Sequence, residues 1–163
     1  NFGNGFLFPS GPLREEIKKG INKANCIFYY GNKRNFNKLV PKNKKPVFFV
    51  KIKPSKNKLK QLDKKKLIAF AGIAHPSNFF YTLYENNLHV IKKYYFSDHK
   101  NYKNNDLEKI INYSKSINSY VLTTEKDYIK VPKKFRSKID FLPVSVNYDS
   151  KKLFKMMEKY VHI

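Results

Sequence analysis

Five consecutive apolar residues, Leu67–Ala71 (LIAFA), are followed at once by Gly72 and, a few residues later, by Pro76. No other feature restricts the fold of this chain as strongly. A short run that is apolar at every position buries both of its faces, as a strand does in a parallel sheet covered on two sides. Glycine then permits a tight turn, and proline at a first helical position opens a helix without forfeiting a hydrogen bond. Phe79, Phe80 and Leu83 share one side of that helix. Strand, tight turn and helix in immediate succession form the first half of a crossover unit in an α/β sheet.

The alternation continues downstream. Leu88–Phe96 reads as the next strand and ends at Ser97-Asp98-His99. Asp106 begins or caps a helix whose Leu107, Ile110, Ile111 and Ser114 share a face. Tyr120–Leu122 is a third strand of the series, closed by Thr123-Thr124, and Glu125–Lys130 gives a helical turn or two before Pro132 stops it. Ile139–Val144 reads as a last strand and Ser150–Tyr160 as an amphipathic helix. Upstream, a Gly/Pro-rich loop covers residues 1–12, and Pro12 starts a helix with Leu13, Ile17 and Ile21 as its buried stripe. Cys26–Tyr30 and Pro46–Ile52 are strands, and lysine-rich Lys53–Lys66 is expected to be an exposed, mobile excursion. The expected fold class is α/β: a Rossmann-like, mostly parallel sheet with helices on both faces, in a single domain spanning 1–163.

Composition narrows the class further. Hydrophobic residues make up 41% and aromatics 16%, which excludes an intrinsically disordered chain. No apolar stretch approaches the roughly 20 residues that cross a bilayer. One cysteine, Cys26, cannot form an internal disulfide and sits in an apolar run, so packing rather than reactivity is expected of it. The formal net charge of +22 invites a nucleic-acid-binding module as an alternative function. Against it, the excess is nearly all Lys, whereas Arg suits bidentate base and phosphate contacts. The lysines are also spread along the chain, and Lys, Asn, Ile, Tyr and Phe are over-used together, as AT-rich codons dictate. An anionic membrane surface is an equally good counterpart for such charge.

Open α/β sheets place ligands beyond the carboxyl ends of their strands, where helix amino termini begin. Candidate site residues are therefore sought along that edge. The amides of Gly72 to Pro76 can hold an anion or a substrate oxygen; alternatively the turn is purely structural, with His75 capping the helix. Asp98-His99 ends a strand, and an Asp can orient a His suited to moving protons near neutral pH. Adjacent residues on an extended chain face opposite ways, so each can equally serve a partner elsewhere. Thr123, Thr124, Glu125, Lys126 and Asp127 pack hydroxyls, carboxylates and an amine into one strand end, although helix capping alone would account for the Thr and the acids. Arg14-Glu15 follows a Gly/Pro loop, where an Arg can clamp phosphate or merely form a surface ion pair. No metal-ligand spacing, serine nucleophile elbow or G-x-x-x-x-G-K-[ST] loop occurs in the sequence.

Taken in order, GNGFLFPSGPLRE, AFAGIAHPSNFF, FSDHKNY and TTEKDYIKVP resemble the carboxy-terminal half of the tetraacyldisaccharide 4'-kinases. The resemblance implies a P-loop-type kinase of two α/β domains, peripheral on the cytoplasmic face of the bacterial inner membrane. It implies transfer of the ATP γ-phosphate, with Mg²⁺, to the 4'-hydroxyl of a tetraacylated disaccharide 1-phosphate. In that family the phosphate loop and the acidic metal and base residues lie in the amino-terminal half, which nothing in this chain matches. The chain opens on Asn1 rather than Met. It is thus expected to be a carboxy-terminal part, inactive alone, with residues 1–25 as a linker loop and helix contacting the missing domain. By resemblance, His99 with Asp98 works with a catalytic Asp of that domain. Arg14 and Glu15 lie near the nucleotide phosphates, and Gly72, His75 and Thr124–Asp127 edge the site. The implied partners are an anionic lipid and the membrane surface, with no nucleic acid. Lys100 and Ser10 depart from the usual family residues without touching a proposed role.

Overall fold

The computed structural model describes residues 3–31, 33–40, 42, 44–98 and 101–158. In chain order the first elements are α1 (Ile17–Lys23), β1 (Ile27–Tyr30), α2 (Lys33–Leu39), β2 (Val47–Pro54), α3 (Lys56–Leu62), β3 (Leu67–Ala71) and α4 (Pro76–Glu85). There follow β4 (Val90–Tyr95), α5 (Asn104–Ser116), β5 (Tyr120–Thr124), α6 (Glu125–Lys130), a 3₁₀ turn (Lys133–Lys138), β6 (Ile139–Leu142), β7 (Val144–Asn147) and α7 (Ser150–Met157). The sequence reads as a single domain, whereas the chain gathers into two compact units, one of residues 1–52 with 146–163 and one of 53–145.

The 53–145 unit is built on a four-stranded sheet in the order β4-β3-β5-β6. Every neighbouring pair in it is parallel. The central strand β3 is buried at all five positions, as its unbroken apolar run requires. Its side chains alternate between two cores. Leu67, Ala69 and Ala71 pack with Phe79, Phe80 and Leu83 of α4, while Ile68 and Phe70 pack with Leu107, Ile110 and Ile111 of α5. Helices thus cover both faces, and each fully buried Leu, Ile or Phe contributes roughly 1.5–3 kcal/mol through lost water contact. The expected stripe on α5 is borne out, with Leu107, Ile110, Ile111 and Ser114 its buried residues.

Three local expectations are corrected. Residues Lys53–Lys66 are not an open excursion: Ser55 caps α3 by accepting from the Lys58 amide, and Leu59 and Leu62 pack on the core. The helix expected from Pro12 begins instead at Ile17, with no fully buried residue. Leu13 is engaged in a parallel bridge to Leu7, and its amide donates to the Phe6 carbonyl at 3.2 Å, which holds this stretch extended. The strand expected over Ile139–Val144 breaks at Pro143, which has no N–H for a ladder, so that β6 and β7 join different sheets.

In the other unit, β1-β2-β7 form a three-stranded sheet. β1 and β2 run parallel with Ile27 opposite Val47 and Tyr30 opposite Val50. Aromatic pairs pack on both of its faces: Phe36 of α2, buried, meets the rings of Tyr29 and Phe49 edge-on at 5.1 and 6.0 Å, and on the other face half-exposed Phe28 stacks on buried Phe48 at 5.2 Å. Cys26 is half-buried beside β1.

Candidate active site

In the 53–145 unit the chain leaves β3 in one direction to β4, then returns past it to β5 on its other side. That reversal is a topological switch point, where doubly wound sheets open a crevice for ligands. The register shows the opening. Pairing of β3 with β5 ends at Ala69–Leu122, whereas β3 pairs with β4 as far as Ala71–Tyr95 and β5 with β6 as far as Thr124–Leu142. Beyond the last β3–β5 pair, the Thr123 hydroxyl donates to the Phe70 carbonyl at 2.8 Å and replaces the missing ladder bond.

Gly72 leaves β3 at this crevice and is itself buried. Its amide donates to Asp127 Oδ2 at 2.9 Å. The same oxygen accepts from the Thr124 hydroxyl at 2.8 Å, while Thr124 Oγ1 accepts from the Asp127 amide at 3.0 Å and so caps α6. Asp127 has no solvent exposure. Lys130 Nζ stands 3.5 Å from its other oxygen, an ion pair one helical turn apart. A buried charge needs such company, since an isolated one is costly.

Tyr102 completes the cluster. Its ring meets Phe70 and Phe96 edge-on at 5.2 and 5.1 Å. Its hydroxyl is turned toward the Asp127 carboxylate without closing a hydrogen bond of full geometry. Burial first, then the charge and the proton-accepting oxygen of Asp127, push its pKa well up, so the phenol stays protonated. Glycine at 72 is what makes room, because a Cβ there would stand 2.7 Å from Tyr102 Oη and 3.3 Å from Phe96 Cβ.

Three separate sequence stretches therefore converge. The AFAG stretch and the TTEKD stretch are joined through Gly72 and Asp127. The FSDHKNY stretch joins them through Tyr102 and through Asp98, whose carboxylate lies 3.9 Å from Lys126 Nζ. Glu125 is exposed in the first turn of α6. His75 stands at the N-cap position of α4, exposed and making no capping bond with its side chain, so the structural reading of that residue as a cap does not hold. Arg14 and Glu15 belong to the other unit; both are exposed, and Glu15 pairs with Lys23 at 2.7 Å. His99 lies outside the described residues. Among the described residues no cluster of His, Cys, Asp and Glu gathers to hold a metal ion.

Residues 1–162 match the family model described as Tetraacyldisaccharide-1-P 4'-kinase. The chain belongs to the tetraacyldisaccharide-1-P 4'-kinase family. A tetraacyldisaccharide 4'-kinase of Rickettsia akari is 41% identical over 132 residues, covering 79% of this chain and 39% of the relative. That of Rhodospirillum rubrum is 31% identical over 160 residues, covering 96% and 48%. The chain thus spans less than half the length of these relatives. A crystal structure of LpxK from Aquifex aeolicus in complex with ATP superposes with a TM-score of 0.66 at 22% identity, over 96% of this chain and 48% of that one. That likeness is one of fold.

Within the tetraacyldisaccharide-1-P 4'-kinase family, then, this chain supplies a parallel α/β unit, and all four quoted stretches lie inside the matched residues. Tyr102, which closes FSDHKNY, carries little local signal in the sequence. An aromatic at the mouth of a helix gives no hint of a partner 25 residues on.

Proposed function

We propose that this chain is the carboxy-terminal part of a lipid kinase that transfers the γ-phosphate of ATP to the 4'-hydroxyl of a tetraacyldisaccharide 1-phosphate. The family match over residues 1–162 carries this reading. The convergence of the Gly72, Asp98 and Thr124–Asp127 stretches on one sheet edge supports it, since that edge is where an α/β kinase needs its acceptor-side residues. In this reading Asp98 and His99 face the acceptor hydroxyl. His99 works with a carboxylate from the amino-terminal half to take up the hydroxyl proton as the oxygen attacks phosphorus. Lys126, beside Asp98, adds positive charge where phosphoryl oxygens gather, and Arg14 and Glu15 serve the nucleotide side.

ATP in such enzymes brings Mg²⁺, which neutralises phosphate charge. The described residues offer no ligand cluster for it. Its ligands belong, in this proposal, to the amino-terminal half, and no step here runs through it. No helix among the described residues is long and apolar enough to cross a membrane. Attachment is proposed to be peripheral, at the cytoplasmic face of the inner membrane, with the +22 charge drawing the chain to anionic lipid. The basic nucleic-acid-binding reading gains no support from the family match. The test uses the full-length protein with γ-labelled ATP and tetraacyldisaccharide 1-phosphate in detergent. Label appearing in the lipid is the expected result; ATP left unconsumed with lipid present contradicts the proposal.

A further inference from the structure

The stretch between β4 and α5 is fastened to the sheet at both ends. At its start the Phe96 amide donates to the Ala71 carbonyl at 2.9 Å, continuing the β3–β4 ladder one step beyond the strand. At its end the Tyr102 ring is set between Phe70 and Phe96, with its hydroxyl beside Gly72 and Asp127. Asp127 is in turn locked by the Gly72 amide and the Thr124 hydroxyl at 2.9 and 2.8 Å. Ser97 and Asp98 directly follow the first of these fastenings, and Asn101 directly precedes the second.

Helix capping does not explain this investment. Thr124 already caps α6 through its own oxygen, and an Asn at 127 could take the Gly72 amide without burying a charge. Instead Asp127 Oδ1 and Lys130 Nζ, paired only as ions at 3.5 Å, and Tyr102 Oη are all buried, and none of them closes a hydrogen bond of full geometry among the described residues. Such a polar cluster is costly to keep unless its members hold something in place.

The geometry points to Tyr102 and Asp127 as a positioning pair that fixes Asp98, 3.9 Å from Lys126 Nζ, at the sheet edge for phosphoryl transfer. This inference rests on the proposed kinase activity. In this proposal neither residue touches substrate; each acts through the placement of Asp98. Phosphoryl transfer depends on placement more than on covalent chemistry, and a misplacement of about 1 Å can lower a rate about a hundredfold.

The test is steady-state kinetics of the full-length enzyme with ATP and tetraacyldisaccharide 1-phosphate. Tyr102→Phe keeps the ring and removes the hydroxyl; Asp127→Asn keeps the shape and removes the charge. Both are expected to lower kcat about tenfold or more, with the KM for ATP changed by less than about twofold. Tyr128→Phe is the control, because its hydroxyl bonds only weakly at 3.4 Å to the Arg136 carbonyl, and it should leave kcat unchanged. An active wild type with Tyr102→Phe at full kcat overturns the positioning role alone. A fall in kcat matched by an equal loss of folded protein also overturns it, in favour of a purely structural role. A wild type that transfers no phosphate overturns the kinase reading and this inference together.

Discussion

The amide of Gly72 donates to Oδ2 of Asp127 at 2.9 Å, across 55 residues of sequence. This one bond ties the turn leaving β3 to the first turn of α6, at the switch point of the parallel sheet. Removing the carboxylate leaves a buried amide and a buried ammonium without their acceptor. Asp127→Ala should therefore destabilise the protein by roughly 3 kcal/mol. Urea denaturation followed by circular dichroism reads this as a lowered midpoint. A midpoint equal to wild type would mean that the carboxylate holds nothing.

Gly72 lies where a side chain has no room. A Cβ would press on Tyr102 Oη at 2.7 Å and on Phe96 Cβ at 3.3 Å. Gly72→Ala should cost about 1–3 kcal/mol through this overpacking. Because the tightest contact is with the hydroxyl, Tyr102→Phe should restore part of the loss. The double variant is then more stable than the two single effects summed, a coupling that a double-mutant cycle measures directly. Strict additivity would place the clash elsewhere.

The raised pKa of Tyr102 gives a signature at alkaline pH. In the unfolded chain this phenol ionises near its ordinary value of 10.0, whereas in the fold it keeps its proton to higher pH. The folded state then binds more protons than the unfolded one, so the contribution is intact below pH 10 and is lost as pH rises above it. The slope is at most about 1.4 kcal/mol per pH unit. Tyr81, raised by its neighbour Glu85, adds to the same alkaline limb from the surface. The expected observation is a melting temperature that falls more steeply between pH 10 and 12 in wild type than in Tyr102→Phe. Parallel curves would deny Tyr102 its protected proton.

How far the sequence reveals this structure depends on what each residue signals locally. The apolar run Leu67–Ala71 and the spacing of Leu107, Ile110 and Ile111 encode burial within their own elements, and both are readable. Helix α2 is not, because KRNFNKL offers a single buried residue, Phe36, whose partners Tyr29 and Phe49 lie on other elements. Nor is α3, where Leu59 and Leu62 are hidden among lysines. The site follows the same rule. Candidate residues could be placed at strand ends, but the convergence of Gly72, Tyr102 and Asp127 arises only from the strand order, in which β5 returns beside β3. Thr124 and Asp127 look like helix-capping residues in sequence, and Thr124 is one. That Asp127 also anchors a distant turn is a tertiary fact.

The role given to the Asp98-His99 pair is open to a direct measurement in the full-length enzyme. Turnover of tetraacyldisaccharide 1-phosphate by His99→Ala, compared with wild type at saturating ATP, isolates the acceptor side of the reaction. The expected result is a fall in kcat of about a hundredfold or more, with the KM for ATP nearly unchanged, as loss of proton uptake in the transition state requires. Full turnover by His99→Ala would contradict the assignment and remove this sheet edge from the chemistry.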